Sequence, residues 1–239
     1  MTQARIALVT GGNKGIGFET ARKLADAGVH VLIGSRNKER GNAAAATLAD
    51  EGFSAESLHL DLDDAASIAA AAAAIKSRFG RLDILVNNAG IFDFGDAAPG
   101  KASLDAVRRV MEVNFIGALA VTQAMLPLLR AAPEARIVNL SSSLGSLTEN
   151  ADPGAPYYTQ RYIGYNASKA ALNMLTIQLH EELKSEGIKV NSVSPGFVRT
   201  DLTGHGEMTA EEGARLPFEY ALKTDVSGRF VEPNGSTPW

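Results

Sequence analysis

Short apolar, β-rich runs recur along this chain at residues 6–10, 31–34, 57–60, 84–86, 136–140, 189–193 and 228–231, with helical patterns filling the intervals. The runs are apolar at nearly every position rather than at alternate ones, so the strands they form need cover on both faces. Strand–helix alternation of this kind predicts an α/β fold, a Rossmann-type doubly wound parallel β-sheet flanked by helices on both faces. Helices are expected at 17–27, 38–51, 64–79, 104–131, 165–186 and 210–222. The alanine-rich stretch 65–74 has the propensity of an ordinary helix, opened by Asp63 and Asp64. A chain of 239 residues without an evident linker suits one domain, and no internal repeat interrupts it.

The first run passes into Thr10-Gly11-Gly12-Asn13-Lys14-Gly15-Ile16-Gly17, a glycine turn at the start of a helix. Glycines let the backbone turn sharply and approach a phosphate closely, and a helix N-terminus offers unpaired N–H groups with the positive end of the dipole. The spacing departs from the usual G-x-G-x-x-G of dinucleotide sites, but its place after the first strand points to a pyrophosphate. At the end of the second strand, a carboxylate would bind an adenosine 2′-hydroxyl and repel a 2′-phosphate; Ser35 and Arg36 stand there instead. The Arg36 fork, the Ser35 hydroxyl and Lys14 in the turn suit a 2′-phosphate, which predicts NADP(H) in preference to NAD(H). The cofactor half is then expected over about residues 1–135 and the catalytic and substrate half over about 136–239.

Tyr165 and Lys169 are four apart in Tyr165-Asn166-Ala167-Ser168-Lys169 and share one helix face. A free phenol with a pKa of about 10 is a poor proton donor near neutrality, and an adjacent ammonium is expected to lower that value. On its own the pair also fits a surface helix whose Tyr and Lys merely cover apolar area.

Further along stand Asp61-Leu62, Asn87-Asn88-Ala89-Gly90, Asn114, Ser142 and Pro195-Gly196-Phe197-Val198-Arg199-Thr200. With these motifs in this order, nearly the whole chain resembles the short-chain dehydrogenase/reductase family, in its compact, carbonyl-reductase-like form. The resemblance implies NADPH-dependent, reversible reduction of a ketone or aldehyde, with Tyr165 as general acid and base, Ser142 bonding the carbonyl and Lys169 holding the nicotinamide ribose. It implies that Asn114 holds a water connecting Lys169 to solvent. It also implies a cofactor held by Gly11, Asn13, Lys14, Gly15, Ile16 and Gly17, by Asp61 and Leu62 at the adenine, and by Asn88, Ala89 and Gly90. Pro195, Gly196, Val198 and Thr200 would hold the carboxamide, through the Val198 backbone and the Thr200 hydroxyl. Ser142 is chosen among Ser141, Ser142 and Ser143 by its distance from the preceding strand and from Gly145. A non-catalytic NADP(H)-binding regulator of the same fold is the alternative, and it has no need of Asn114, Ser142, Tyr165 and Lys169 together.

The interval between Ser142 and Tyr165 is longer than in compact members of the family, and its surplus, 148–162, reads as a loop carrying Tyr157, Tyr158 and Tyr162. Those tyrosines suit a substrate wall or an interface. In carbonyl-reductase-like relatives such an insertion obstructs the usual oligomer contact, so a monomer or homodimer is expected rather than a tetramer. The segment after Thr200, with His205 between two glycines, suggests a small lid and an open pocket. A net charge of −4 without a basic cluster gives no footprint for nucleic acid or anionic lipid. No continuous apolar run reaches bilayer length, and the opening residues 1–5 lack the pattern of a secretory signal, so a cytoplasmic protein is expected. Without cysteine, and with four scattered histidines, no metal site is expected.

Overall fold

The computed structural model describes residues 4–239; residues 1–3, part of the opening expected to lead straight into a strand, lie outside the described residues. Eight strands form one sheet in the order β3-β2-β1-β4-β5-β6-β7-β8, all parallel except the last pair. They are β1 Ile6–Thr10, β2 His30–Ser35, β3 Ala55–His59, β4 Ile84–Asn87, β5 Arg136–Leu140, β6 Lys189–Val193, β7 Phe230–Glu232 and β8 Gly235–Ser236. The chain reverses its direction of travel across the sheet between β1 and β4, and ligands of such sheets bind in the crevice beyond the strand ends at that point.

The apolar runs divide their side chains between two cores. Leu8, Leu32, Leu85, Ile137 and Val190 pair in register from strand to strand and face Met125, Leu128, Leu129, Leu172 and Leu179. The alternate positions Val9, Ile33, Val86, Val138 and Val193 meet Leu24, Leu48 and Ala221 on the other side. A fully buried aliphatic side chain contributes about 1.5–3 kcal/mol, so continuous apolarity of each strand stabilises both layers.

The first core lies under α3 Ala65–Phe79, α5 Ala118–Arg130 and α7 Ile163–Leu183, the second under α1 Gly15–Asp26, α2 Lys38–Asp50 and α9 Arg215–Leu222. The helix expected at 104–131 is broken into α4 Leu104–Met111, a π-helical turn Glu112–Gly117 and α5. Together Leu104–Arg130 spans 27 residues and is long and apolar enough to cross a bilayer, which a search for unbroken apolar runs misses. In this fold Ala118, Val121, Met125, Leu128 and Leu129 of that stretch pack on the sheet. The segment expected to be loop from residue 148 opens with a short helix, α6 Leu147–Ala151, capped by the Ser146 hydroxyl accepting from Glu149 N. The helix expected at 210–222 is divided at Ala214 into α8 Ala210–Gly213 and α9.

One staple ties the glycine turn to β4. Asn88 Nδ2 donates to Thr10 O at 2.8 Å and to Gly11 O at 3.2 Å, while the Thr10 hydroxyl accepts from the backbone N–H of Asn88 and of Ala89, each at 3.0 Å. Gly17 faces this staple so closely that a Cβ there would overlap Asn88 Nδ2 and come within 2.6 Å of Gly11 O. Gly17→Ala is therefore expected to lower unfolding stability by about 1–3 kcal/mol, read as a lower urea midpoint at unchanged slope. An unchanged midpoint would show that the staple yields without strain.

Candidate active site

The C-terminal ends of β1, β4, β5 and β6 bring together the glycine turn, the Asn88–Gly90 segment, Ser142 and the 195–200 segment, and α7 lays Tyr165 and Lys169 across them. α7 starts where it does because Asp96, 5% exposed, accepts from the backbone N–H of Gly164 at 2.9 Å and of Tyr165 at 2.7 Å. A carboxylate at a helix N-terminus satisfies orphan donors and complements the dipole. Asp96 lies 69 residues before Tyr165, and no local sequence signal marks it.

Lys169 is 5% exposed, and its Nζ donates to Leu140 O at 2.7 Å at the end of β5. The same Nζ lies 5.6 Å from the centroid of the Tyr165 ring. Two glycines make room for this lysine. A Cβ on Gly145 would come within 2.7 Å of the Lys169 backbone, and one on Gly90 would sit 3.7 Å from Nζ and 3.3 Å from Asn114 Oδ1. The Ser142 hydroxyl lies beside the Tyr165 hydroxyl and accepts from Leu144 N at 3.2 Å. Its neighbours are differently engaged: Ser141 Oγ donates to Asn173 Oδ1 at 2.7 Å, and Ser143 receives its backbone support from Ser194 Oγ.

Burial pushes the Tyr165 phenol up to about 12, and the Ser142 hydrogen bond opposes it only in part. Burial also pulls the Lys169 ammonium down to about 8. This differs from the expectation that the amine lowers the tyrosine's value. Nζ addresses a carbonyl and the ring face, and desolvation, which disfavours the charged form of either group, dominates both.

Asn114 sits inside the π-helical turn rather than in a regular helix. Its side chain is saturated: Oδ1 accepts from Ile91 N at 2.8 Å, and Nδ2 donates to Ile91 O at 3.0 Å and to Ser168 Oγ at 3.1 Å. π-Helical turns are rare and gather at functional sites, but no residue type announces one.

The cofactor elements fit a phosphate-bearing nucleotide. Gly11 and Gly15 hold positive φ values of 64° and 57°, and α1 begins without a side-chain cap and without an acid in its first turn. Its donors are therefore free for an anion. Arg36 is exposed and makes no ion pair among the described residues. Ser35 departs from expectation: it is 2% exposed and its hydroxyl donates to Asn37 O at 2.8 Å, so it is committed to the turn and does not face a 2′-phosphate. Lys14 Nζ pairs with Asp201 Oδ2 at 2.7 Å. Asp61 uses Oδ1 to accept from Asp63 N, and Leu62 packs on Gly117 of the π-helical turn. Gly196 has a φ of 85°, Val198 is buried against Gly213 and Ile16, and Thr200 lies over Gly15 with its carbon atoms 3.7 Å from a Cβ there. Asn13 adopts the same turn with its backbone between Gly12 and Lys14, and Pro195 follows Ser194, whose backbone N–H bonds Val231 O.

The 148–162 segment is pinned rather than loose: Asn150 Nδ2 donates to Leu144 O, and Thr148 Oγ1 donates to Trp239 O. Of its tyrosines, Tyr158 lies under the Arg161 guanidinium and Tyr162 packs on Phe92. His205 packs edge-on against Phe197.

A family model described as short chain dehydrogenase matches residues 5–210. A short-chain dehydrogenase of Penicillium roqueforti, anuI, is 39% identical over 88% of this chain and 85% of its own length. The (-)-isopiperitenone reductase of Mentha piperita is 32% identical over 92% of this chain and 93% of its own. An NADPH-bound carbonyl reductase from chicken fatty liver superposes with a TM-score of 0.86 at 29% identity, over 99% of this chain and 100% of the other. The motifs, the sheet order with its β1/β4 crevice and these matches agree that the chain belongs to the short-chain dehydrogenase family.

Proposed function

We propose that this enzyme reduces a ketone or aldehyde with NADPH, with Ser142 orienting the carbonyl and Tyr165 supplying the proton. The observation that carries the reading is the placing of the Ser142 and Tyr165 hydroxyls side by side at the cleft, with the buried Lys169 Nζ 5.6 Å from the centre of the Tyr165 ring. Two relatives point the same way, one named for reducing isopiperitenone and one a carbonyl reductase with NADPH bound.

The glycine turn would hold the pyrophosphate of NADPH and the 195–200 segment its carboxamide, and the bound cofactor would supply the hydride that reaches the carbonyl carbon. The two hydroxyls bond the carbonyl oxygen, where negative charge develops, and Tyr165 hands over its proton. With its phenol pushed up to about 12, Tyr165 keeps its proton at neutral pH until the far more basic alkoxide formed by hydride addition takes it. Lys169, brought to about 8, remains mostly protonated at pH 7 and holds its charge beside the phenolate that forms. A proton path from Lys169 to solvent would run through a water held at Asn114, whose side chain is anchored to Ile91 and Ser168.

Preference for NADPH over NADH rests on Arg36 and Lys14, since Ser35 is occupied. Arg36→Ala is expected to weaken NADPH binding about ten- to a hundredfold, the worth of a charge-assisted hydrogen bond, and to leave NADH unchanged, as read by cofactor fluorescence titration. Equal losses for both cofactors would remove the 2′-phosphate from the argument. Tyr165→Phe is expected to cut turnover of a reducible ketone by roughly a hundredfold or more while NADPH binding persists. Near-normal turnover in that variant would assign the proton to another group.

A lysine titrating near 8 when folded, against about 10.4 unfolded, costs about 3 kcal/mol of stability below pH 8, and the cost fades as pH rises toward 10.5. Lys169→Met should therefore unfold at higher urea than the parent at pH 7, although loss of the bond to Leu140 O takes back about 1 kcal/mol. Its advantage should shrink through pH 8–10.5. A difference independent of pH would mean that the ammonium is better solvated than its burial implies.

A further inference from the structure

Three aromatic rings cluster beside the proposed proton donor, and neither core uses them. Phe92 lies 6.0 Å from the Tyr165 ring, 4.9 Å from Tyr162 and 6.0 Å from Phe94, each time in an edge-to-face arrangement. Phe94 is 98% exposed, and Phe92, Tyr162 and Tyr165 are only partly covered. A phenylalanine held in water at that exposure contributes nothing to folding, and exposed apolar rings grouped at a cleft mark a place where something apolar docks.

The backbone that carries the two phenylalanines is tied down. Asp93, between Phe92 and Phe94, is tied down by accepting from Gly95 N and from Arg109 Nε, each at 2.9 Å. Asp96 clamps the same loop to the first turn of α7, and Ile163 N donates to Ala97 O at 3.0 Å. The loop that carries the rings is thereby bolted to the helix that carries Tyr165. Neither Phe92, Tyr162 nor Phe94 brings a charged group to this ledge.

We propose that Phe92, Phe94 and Tyr162 form a subsite for the body of the substrate, which makes the substrate a carbonyl compound built on two or more fused apolar or aromatic rings. Resting on the reading of Ser142 and Tyr165 above, the inference names which carbonyl they act on. Phe92 meets the Tyr165 ring at 6.0 Å, and Phe94 meets Phe92 at a further 6.0 Å, so a ligand with its carbonyl at Tyr165 that covers both phenylalanines extends beyond one ring. Edge-to-face contact favours a rigid ring system over a flexible chain, which would lose more freedom on binding.

The test compares 2-tetralone, with two fused rings, and cyclohexanone, with one, as substrates of the parent enzyme, Phe94→Ala and Phe94→Leu with NADPH. Calorimetric titration of 2-tetralone into each protein supplies a readout independent of turnover. Phe94→Ala is expected to raise KM for 2-tetralone about tenfold with kcat held, and to leave cyclohexanone within about twofold. Phe94→Leu should recover part of the loss by restoring apolar area without the ring. Equal effects on both ketones, or none on 2-tetralone, overturn the subsite while leaving the proton chemistry intact. Absence of turnover with Phe94-dependent binding would leave the subsite and remove the chemistry. Failure of 2-tetralone to bind, or a parent dimer that becomes monomeric in Phe94→Ala, would give the ring to another role and overturn the inference.

Discussion

A lysine ammonium held almost out of water at the end of β5 is the constraint around which the site is arranged. A buried charge is tolerated only with compensation, and here it comes from the carbonyl of Leu140, one residue past the last β4–β5 pair. Reaching it requires α7 to approach at close range, and that approach dictates glycine at 145, where a Cβ would meet the Lys169 backbone at 2.7 Å. It also dictates the anchoring of the helix start by Asp96, since a fraying first turn would carry Tyr165 away from Ser142. The poorly solvated environment that makes Lys169 expensive is the one that keeps Tyr165 protonated.

Below the site the sheet is not uniformly apolar. Asn87, Asn139 and Ser192 occupy one register row across β4, β5 and β6. Asn87 Nδ2 donates to Asn139 Oδ1 at 2.8 Å and to Thr122 Oγ1 at 3.0 Å, Asn139 Nδ2 donates to Thr176 Oγ1 at 2.8 Å, and Thr176 Oγ1 lies 2.7 Å from Ser192 Oγ. Buried polar chains of this kind are unforgiving of displacement, because an unpaired member costs the full penalty of its desolvation. The row joins α5 and α7 to three strands directly beneath the residues that hold Lys169 and Asn114, so it fixes the helices where apolar packing alone would let them slide.

The fold was legible because its signal is period and composition: unbroken apolar runs demand two covering layers, and Gly-rich residues after the first run demand a turn. The residues grouped at the cleft were legible because each stands at the end of a run or in a helix with a strong local pattern. What stayed hidden depends on distance or on backbone detail. The Asp96 clamp joins segments separated by most of a Rossmann half, and the π-helical turn at 112–117 leaves the 104–131 pattern apolar and helical throughout. Ser146 and Glu149 did carry a cap signal for α6, but the Pro, Gly and Asp residues that follow masked it. Ser35 could be placed at its strand end by sequence, whereas the direction of its hydroxyl is set by the Asn37 turn. Spacing on one helix face reports that Tyr165 and Lys169 are close, whereas desolvation, which raises the phenol, depends on packing that spacing does not show.

The pairing of Lys14 with Asp201 shows how these parts meet at the cofactor cleft. Lys14 belongs to the glycine turn and Asp201 to the segment after β6, which passes over Gly15 at Thr200. Lys14 holds the Asp201 carboxyl below its usual range, with a smaller contribution from Arg40 at the start of α2. Both partners are largely exposed, and an exposed pair of this type contributes little to stability. A phosphate dianion presents more charge and more acceptor oxygens to the same cations than a single carboxylate does. The pair links the segment that carries Val198 and Thr200 to the glycine turn through a contact that costs little to break.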